Sequence, residues 1–203
     1  MYDPKTYWQD RMERQGPNYV GPGGLRLFTE QTAVFSEVLD ALLGIFHLPG
    51  GADVLDVGCG TGRFHHVLRR NGGCYTGVDI NPKAVEYLNL KLIHDMRSVA
   101  ETLDQALNAR PRRFDVGVAV TVLQHVPDED LNQVLGLLRG CRRVILIEDA
   151  NPEGATPAAH MNFRTPEFYA SRLGMRLADP QPWTINAERD GSHWVAVLEP
   201  AVI

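Results

Sequence analysis

From Asp53 onward the chain alternates between two kinds of segment. Short, predominantly apolar runs lie at Val54–Val57, Tyr75–Val78, Phe114–Val120 and Val144–Ile147, with a weaker one at Leu90–Ile93. Between them, apolar residues recur at helical spacing. Strands that are apolar on both faces, with no polar alternation, belong to a parallel sheet covered by helices on both sides. The expected fold is therefore an α/β doubly wound, mostly parallel sheet of seven strands.

Local signals place the helices. Asn81-Pro82 reads as a cap and first helical position. Ser98-Val99-Ala100-Glu101 has capping-box spacing ahead of Leu103, Ala106 and Leu107. Asp128 is placed to cap a helix carrying Leu131, Val134, Leu135 and Leu138, which ends at Gly140. After a helix start at Thr165-Pro166-Glu167 the alternation stops. Met175–Ala178 and His193–Leu198 follow with no helical stretch between them, so they are expected to form an antiparallel hairpin at the end of the sheet.

The first fifty residues differ in character. Pro4–Arg14 reads as a short helix. Gln15–Gly24 is a glycine- and proline-rich loop carrying Tyr19. Phe28, Val34, Phe35, Leu39, Leu42 and Phe46 then mark an amphipathic helix. The expected organisation is a helical lid over 1–50 and one α/β unit over 51–203.

"DVLDVGCGTGRF" (Asp53–Phe64) brings glycine at every second position, which lets a backbone come close to a ligand. In a doubly wound sheet that place lies at the ligand-binding ends of the strands. A P-loop is excluded because the loop has no lysine, and a dinucleotide fingerprint because Arg63 stands at its third glycine position. Asp56 would repel a pyrophosphate and attract a cation. A zwitterion with an ammonium and a sulfonium suits both the acid and the loop N–H groups.

These residues resemble the class I S-adenosylmethionine-dependent methyltransferases. "VLDVGCGTG" (Val54–Gly62) matches their first motif, and "YTGVDINPKAVE" (Tyr75–Glu86) their second-strand motif. "LIHDMRSV" (Leu92–Val99) is similar to their adenine segment, and "FDVGVAVTVLQHVPDED" (Phe114–Asp130) to the fourth-strand motif that borders the methyl group. The resemblance implies S-adenosyl-L-methionine as cofactor and S-adenosyl-L-homocysteine as product. It implies cofactor contacts at Asp56, Gly58, Cys59, Gly60 and Gly62, at Asp79 (to the ribose) and Ile80, at Asp95 and Met96 (to the adenine), and at Val120 and Gln124. Tyr19 joins them as an aromatic on a loop that can close over the site.

Methyl transfer is an in-line displacement, and the protein's task is alignment. A base is needed only for an acceptor that must lose a proton. His125, just past the fourth apolar run, is the candidate base. Glu148 at the end of the fifth is a second candidate catalytic residue, with Asp149 beside it, as a base or as a partner for a cationic acceptor. Trp8, Arg26, His125, His160 and Arg164 are the expected acceptor contacts, Arg164 with an alternative role of anchoring its loop. No metal is expected.

Composition narrows the partners. The chain has 203 residues and a formal net charge of −5, with no basic stripe, which argues against nucleic acid or an anionic membrane. Three scattered cysteines point to a reducing compartment. No run approaches the roughly 18 apolar residues of a membrane span, and the polar N-terminus is not expected to act as a signal peptide. The expectation is a cytoplasmic monomer or homodimer that methylates a small molecule. The alternatives are a protein or peptide methyltransferase on the same fold and a non-catalytic cofactor-binding scaffold.

Overall fold

The computed structural model describes residues 2–17, 24–46, 52–71, 73–150, 161–178, 183–186 and 192–201. Tyr19, His160 and the Arg26 side chain lie outside the described residues. The chain divides into two units, Asp3–Ala109 and Arg110–Ile203.

The first unit opens with α1 (Pro4–Gln15), capped by Asp3, whose carboxylate accepts from the N–H groups of Lys5 and Thr6. The long helix α2 (Gly24–Ile45) follows. Three parallel strands come next, β1 (Asp53–Val57), β2 (Cys74–Asp79) and β3 (Ser98–Thr102), in the order β3-β2-β1. They are connected by α3 (His65–Asn71) and α4 (Pro82–Leu92), and α5 (Leu103–Asn108) ends the unit. Asn81 caps α4 as its sequence suggests, accepting from Lys83 N–H.

The sequence misplaces β3. Leu90–Ile93 is the last turn of α4, and Leu90 and Ile93 are 65% and 66% exposed. The strand is the Ser98–Thr102 stretch instead. The capping box lies four residues later, where Thr102 and Gln105 hold each other's backbone N–H groups. Both segments offer a box-like spacing, and β pairing claims the one that β2 can reach, with Tyr75 opposite Ser98 and Asp79 opposite Thr102. Asp95 stands in the turn before β3. There it is held by Arg69, 2.8 Å from Nε to Oδ2, and by the Ser98 hydroxyl at 2.6 Å.

The second unit holds β4 (Phe114–Val120) parallel to β5 (Cys141–Asp149), joined by a 3-10 turn (Leu123–His125) and α6 (Asp128–Leu138). Asp128 is the first residue of α6 and Pro127 occupies the cap position, so no side chain caps this helix. After α7 (Pro166–Leu173), capped by Thr165, come β6 (Met175–Leu177), β7 (Trp183–Asn186) and β8 (Ser192–Pro200). β8 runs antiparallel to β5, and both β6 and β7 pair with β8. The antiparallel end therefore has three strands where a two-stranded hairpin was expected, and the described strands number eight. The rest of the expected class, a mostly parallel α/β sheet with an antiparallel C-terminal part, is what the structure has.

One residue of the second unit is strained. Thr121, directly after β4, has φ +53°, a region that costs a β-branched residue about 1–3 kcal/mol. Its N–H donates to Ile147 O at 2.6 Å, which holds the bend against β5. Thr121→Gly is expected to raise unfolding stability by up to about 1 kcal/mol in urea titration, the relief of strain being partly offset by chain entropy; a loss of similar size would refute the strain.

The Arg69–Asp95 pair gives a pH signature. The Arg69 and Ser98 hydrogen bonds hold the Asp95 carboxyl well below the usual carboxylate range. Because its folded pKa is depressed, its stabilising effect is present above about pH 4 and fades as pH falls further. Asp95→Asn should therefore cost about 1 kcal/mol at pH 7, with the difference from the unmodified chain shrinking at pH 3.

Candidate functional site

The glycine loop explains its own composition. Gly58, Gly60 and Gly62 have φ of +75°, +52° and +85°, so every second residue needs a conformation that side chains resist. Gly62 has a further reason, since a β-carbon there would stand 2.5 Å from Leu88 Cδ1. Its dihedral also delays the helix. The first turn of α3 begins at His65 and not near Thr61, leaving residues 61–64 as a turn.

The loop is tied to β2. Gly58 and Cys59 N–H both donate to Val78 O, at 2.7 and 3.1 Å. Gly60 N–H donates to Asp79 Oδ2 and Asn81 N–H to Asp79 Oδ1, each at 2.8 Å. Asp79 is 9% exposed, and burial raises its pKa while these N–H groups pull it down. Two oxygens offer about four acceptor positions, so two remain for hydroxyl donors. Asp79 thus sits at the carboxyl end of β2, beside the loop, as its motif implies.

Asp56 is placed differently from its expected role. It is 2% exposed, its Oδ2 accepts from the Tyr75 hydroxyl at 2.9 Å, and burial pushes its pKa up to about 7. A sealed carboxyl under the loop is not an ionic partner for a ligand cation. Cys59 is likewise buried, its thiol directed at Gly60 O.

Asp95 and Met96 are also corrected. In a parallel set the carboxyl ends of β1, β2 and β3 lie together, and Asp95 and Met96 precede β3 at its other end. Asp95 is occupied by Arg69, and Met96 is 94% exposed. The residue beside Asp79 is Thr102, followed by Leu103 and Asp104. No local sequence signal marks Thr102; its place comes from the register, in which five β3 residues paired from Ser98 put it level with Asp79.

The N-terminal helices reach this same half. Asn81, fully buried, donates from Nδ2 to Trp8 O at 3.2 Å, and Lys5 Nζ lies 3.5 Å from Asp104 Oδ2. Trp8 therefore stands on the Asp79 side. Thr61 Oγ1 donates to Pro17 O at 2.9 Å. Arg63, the residue that breaks the dinucleotide fingerprint, packs its guanidinium against Phe28, Phe35 and Phe64 and donates from Nε to Thr32 Oγ1 at 2.7 Å. Burial lowers its pKa to about 10. Arg63 is a rivet between the loop and α2.

The second unit concentrates polar groups where β4 and β5 end. Glu148, 2% exposed, accepts three backbone N–H groups: Val122 and Leu123 at Oε1 (3.1 and 2.8 Å) and Gln124 at Oε2 (3.0 Å). Burial pushes its pKa up to about 8 against those donors. Glu148 is thus the anchor of the 3-10 turn, and the structure does not support it as a catalytic acid or base. Gln124, 3% exposed, is not open to a cofactor either; its amide is bound to Asp149, donating to Oδ2 at 2.9 Å and accepting from Asp149 N–H at 2.8 Å.

Arg164 takes its alternative role. Its guanidinium donates to Leu123 O (2.7 Å), Val126 O (2.8 Å) and Asp128 (2.7 Å), and its side chain is 6% exposed, so it fastens the turn and is no acceptor contact. Asn162 N–H adds a bond to Gln124 O at 2.7 Å. His193, which the sequence did not single out, lies 1% exposed with Nε2 2.6 Å from Asp149 Oδ1. His125 is half-buried at the end of the turn, Val120 is buried as the last residue of β4, and Ile80 is half-buried between Asp79 and Asn81. Among the described residues there is no cluster able to hold a metal ion and no helix long and apolar enough to cross a membrane.

Glu148→Gln puts an NH2 group against one of three N–H donors. At pH 9, where the carboxyl is ionised, urea titration should show a loss of about 1–3 kcal/mol; an unchanged midpoint would mean the turn does not depend on this anchor.

Comparison with known proteins completes the site. Residues 54–145 match the family model described as "Methyltransferase domain". A ubiquinone biosynthesis O-methyltransferase of Nitrosomonas europaea is 31% identical over 97 residues, which cover 45% of this chain and 38% of that protein. The match thus spans well under two thirds of the relative's length. Magnesium protoporphyrin IX methyltransferase from Synechocystis PCC 6803, solved with bound SAH, is similar in structure at a TM-score of 0.74, with 20% identity, over 97% of this chain and 98% of that one. The [4+2]-cyclase SpnF is similar at a TM-score of 0.68 with 13% identity, over 98% of this chain and 94% of that one. The α/β fold is thus shared with these solved structures, and residues 54–145 match the methyltransferase-domain family model.

Proposed function

We propose that this chain is an S-adenosylmethionine-dependent methyltransferase (EC 2.1.1.-) acting on a small molecule, with S-adenosylhomocysteine as product. The observation that carries the reading is the loop of three positive-φ glycines clasped by Asp79. The residues fit the cofactor: Asp79 keeps acceptor positions for the two ribose hydroxyls, and the glycines leave no side chain between the loop and the methionyl part. Thr102–Asp104 replaces Asp95 and Met96 as the adenine-side segment, and Trp8 becomes a cover on the ribose side. The cofactor brings a methyl group on a sulfonium, which is already a good leaving group. The chain's own work is then to orient and to exclude water.

On the acceptor side the reading keeps His125 at the fourth-strand position that borders the methyl group in the resembled family. Tyr19, Arg26 and His160 remain candidate contacts from the sequence. The net charge of −5 supports an acceptor other than nucleic acid. A monomer or homodimer in the cytoplasm completes the proposal, with residues 1–50 as a lid on the α/β part.

A thermal-shift titration with S-adenosylhomocysteine, NAD and ATP tests the cofactor reading. At a hundred times its dissociation constant a ligand adds about 2.7 kcal/mol, or roughly 5–10 °C at this size. A shift with S-adenosylhomocysteine alone is expected, and Asp79→Ala should abolish it. A shift with NAD, or none at all, overturns the proposal.

A further inference from the structure

The buried polar chain at the end of β5 can be followed donor by donor. Asp149 stands opposite His193 in the β5–β8 register. A carboxylate only accepts, so His193 donates from Nε2 across the 2.6 Å to Asp149 Oδ1. The Asp149 backbone N–H donates to Gln124 Oε1 at 2.8 Å, which fixes the oxygen end of that amide. Gln124 Nε2 must then face the other way. One of its hydrogens goes to Asp149 Oδ2 at 2.9 Å, and the same nitrogen lies 3.5 Å from His125 Nε2. An amide nitrogen does not accept. A proton on His125 Nε2 would set one N–H against another.

We propose that His193, Asp149 and Gln124 form a positioning chain that holds His125 neutral with its proton on Nδ1 and its Nε2 lone pair toward the Gln124 amide. Which nitrogen of a histidine carries the proton is set by the partner of the other, and neutral histidine in water favours Nε2–H, so the chain reverses the ordinary preference. Gln124 and His193 are 3% and 1% exposed, so water does not compete for these bonds. The turn is also immobilised on its backbone side, by Glu148 on three N–H groups and by Arg164 on two carbonyls. Resting on the methyltransferase reading, this has a consequence for the acceptor. The nitrogen able to take a proton from an acceptor is then Nε2, the one that faces the Gln124 amide, and not Nδ1.

The test is a long-range 1H–15N correlation of the imidazole rings in the full chain labelled with 15N-histidine at pH 8, the His125 signal being assigned by its loss in His125→Asn. The expected pattern is an unprotonated Nε2 and a protonated Nδ1. Gln124→Leu should shift the population to the Nε2–H form. His193→Gln, which keeps a donor for Asp149, should retain the original pattern, and His193→Leu should lose it. An Nε2–H pattern in the unmodified chain overturns the proposal outright, as does an unchanged pattern in folded Gln124→Leu. Should Gln124→Leu fail to fold, the unmodified spectrum and the two His193 variants still decide. The S-adenosylhomocysteine shift on the same samples reads the cofactor half, so failure there counts against the methyltransferase reading and not against the proton placement.

Discussion

Buried carboxylates that bind backbone N–H groups hold the strand-end loops of each unit in shape. In the first unit Asp79, at the end of β2, accepts from Gly60 and Asn81 and so joins the glycine loop to the start of α4. In the second unit Glu148, near the end of β5, accepts from Val122, Leu123 and Gln124 and so fixes the turn after β4. Loops at strand ends carry N–H groups that no ladder satisfies, and leaving one buried without a partner costs about 1–3 kcal/mol. An acid on the neighbouring strand satisfies two or three at once. The loops can then hold conformations, such as the positive φ of Gly60 and Thr121, that they would not keep alone.

Much of this was legible in the sequence, because the signals were local. Apolar runs found β1, β2, β4 and β5, caps found the starts of α4 and α7, and alternating glycines found the loop. The failures share one cause. Ser98–Glu101 carries a helix-capping spacing, yet its place beside β2 makes it strand, and pairing across 20 or more residues is invisible to a window read along the chain. Once β3 is placed, Asp95 and Met96 fall at the wrong end of the strands, and Thr102 takes the position beside Asp79.

The same limit applies to the acids and bases. Asp56, Glu148, Gln124 and Arg164 are residue types that bind ligands when exposed, and sequence says little about which backbone groups will reach them first. The Tyr75 hydroxyl takes Asp56, three N–H groups take Glu148, and the carbonyls of Leu123 and Val126 take Arg164. His193 escaped notice for the converse reason. It lies in an apolar strand with no motif around it, and only the antiparallel register sets it opposite Asp149.

Cys59 lies inside the glycine loop, where an exposed thiolate would be open to alkylation and oxidation. Its sulfur is walled in by Gly77, whose missing β-carbon would stand 2.8 Å from Sγ, and burial raises its pKa well above that of a free thiol. A buried neutral thiol with no free volume neither attacks nor accepts an alkyl group. The close approach of β2 at Gly77 therefore gives the loop chemical inertness: a cysteine can stand among the glycines without offering a reactive thiol.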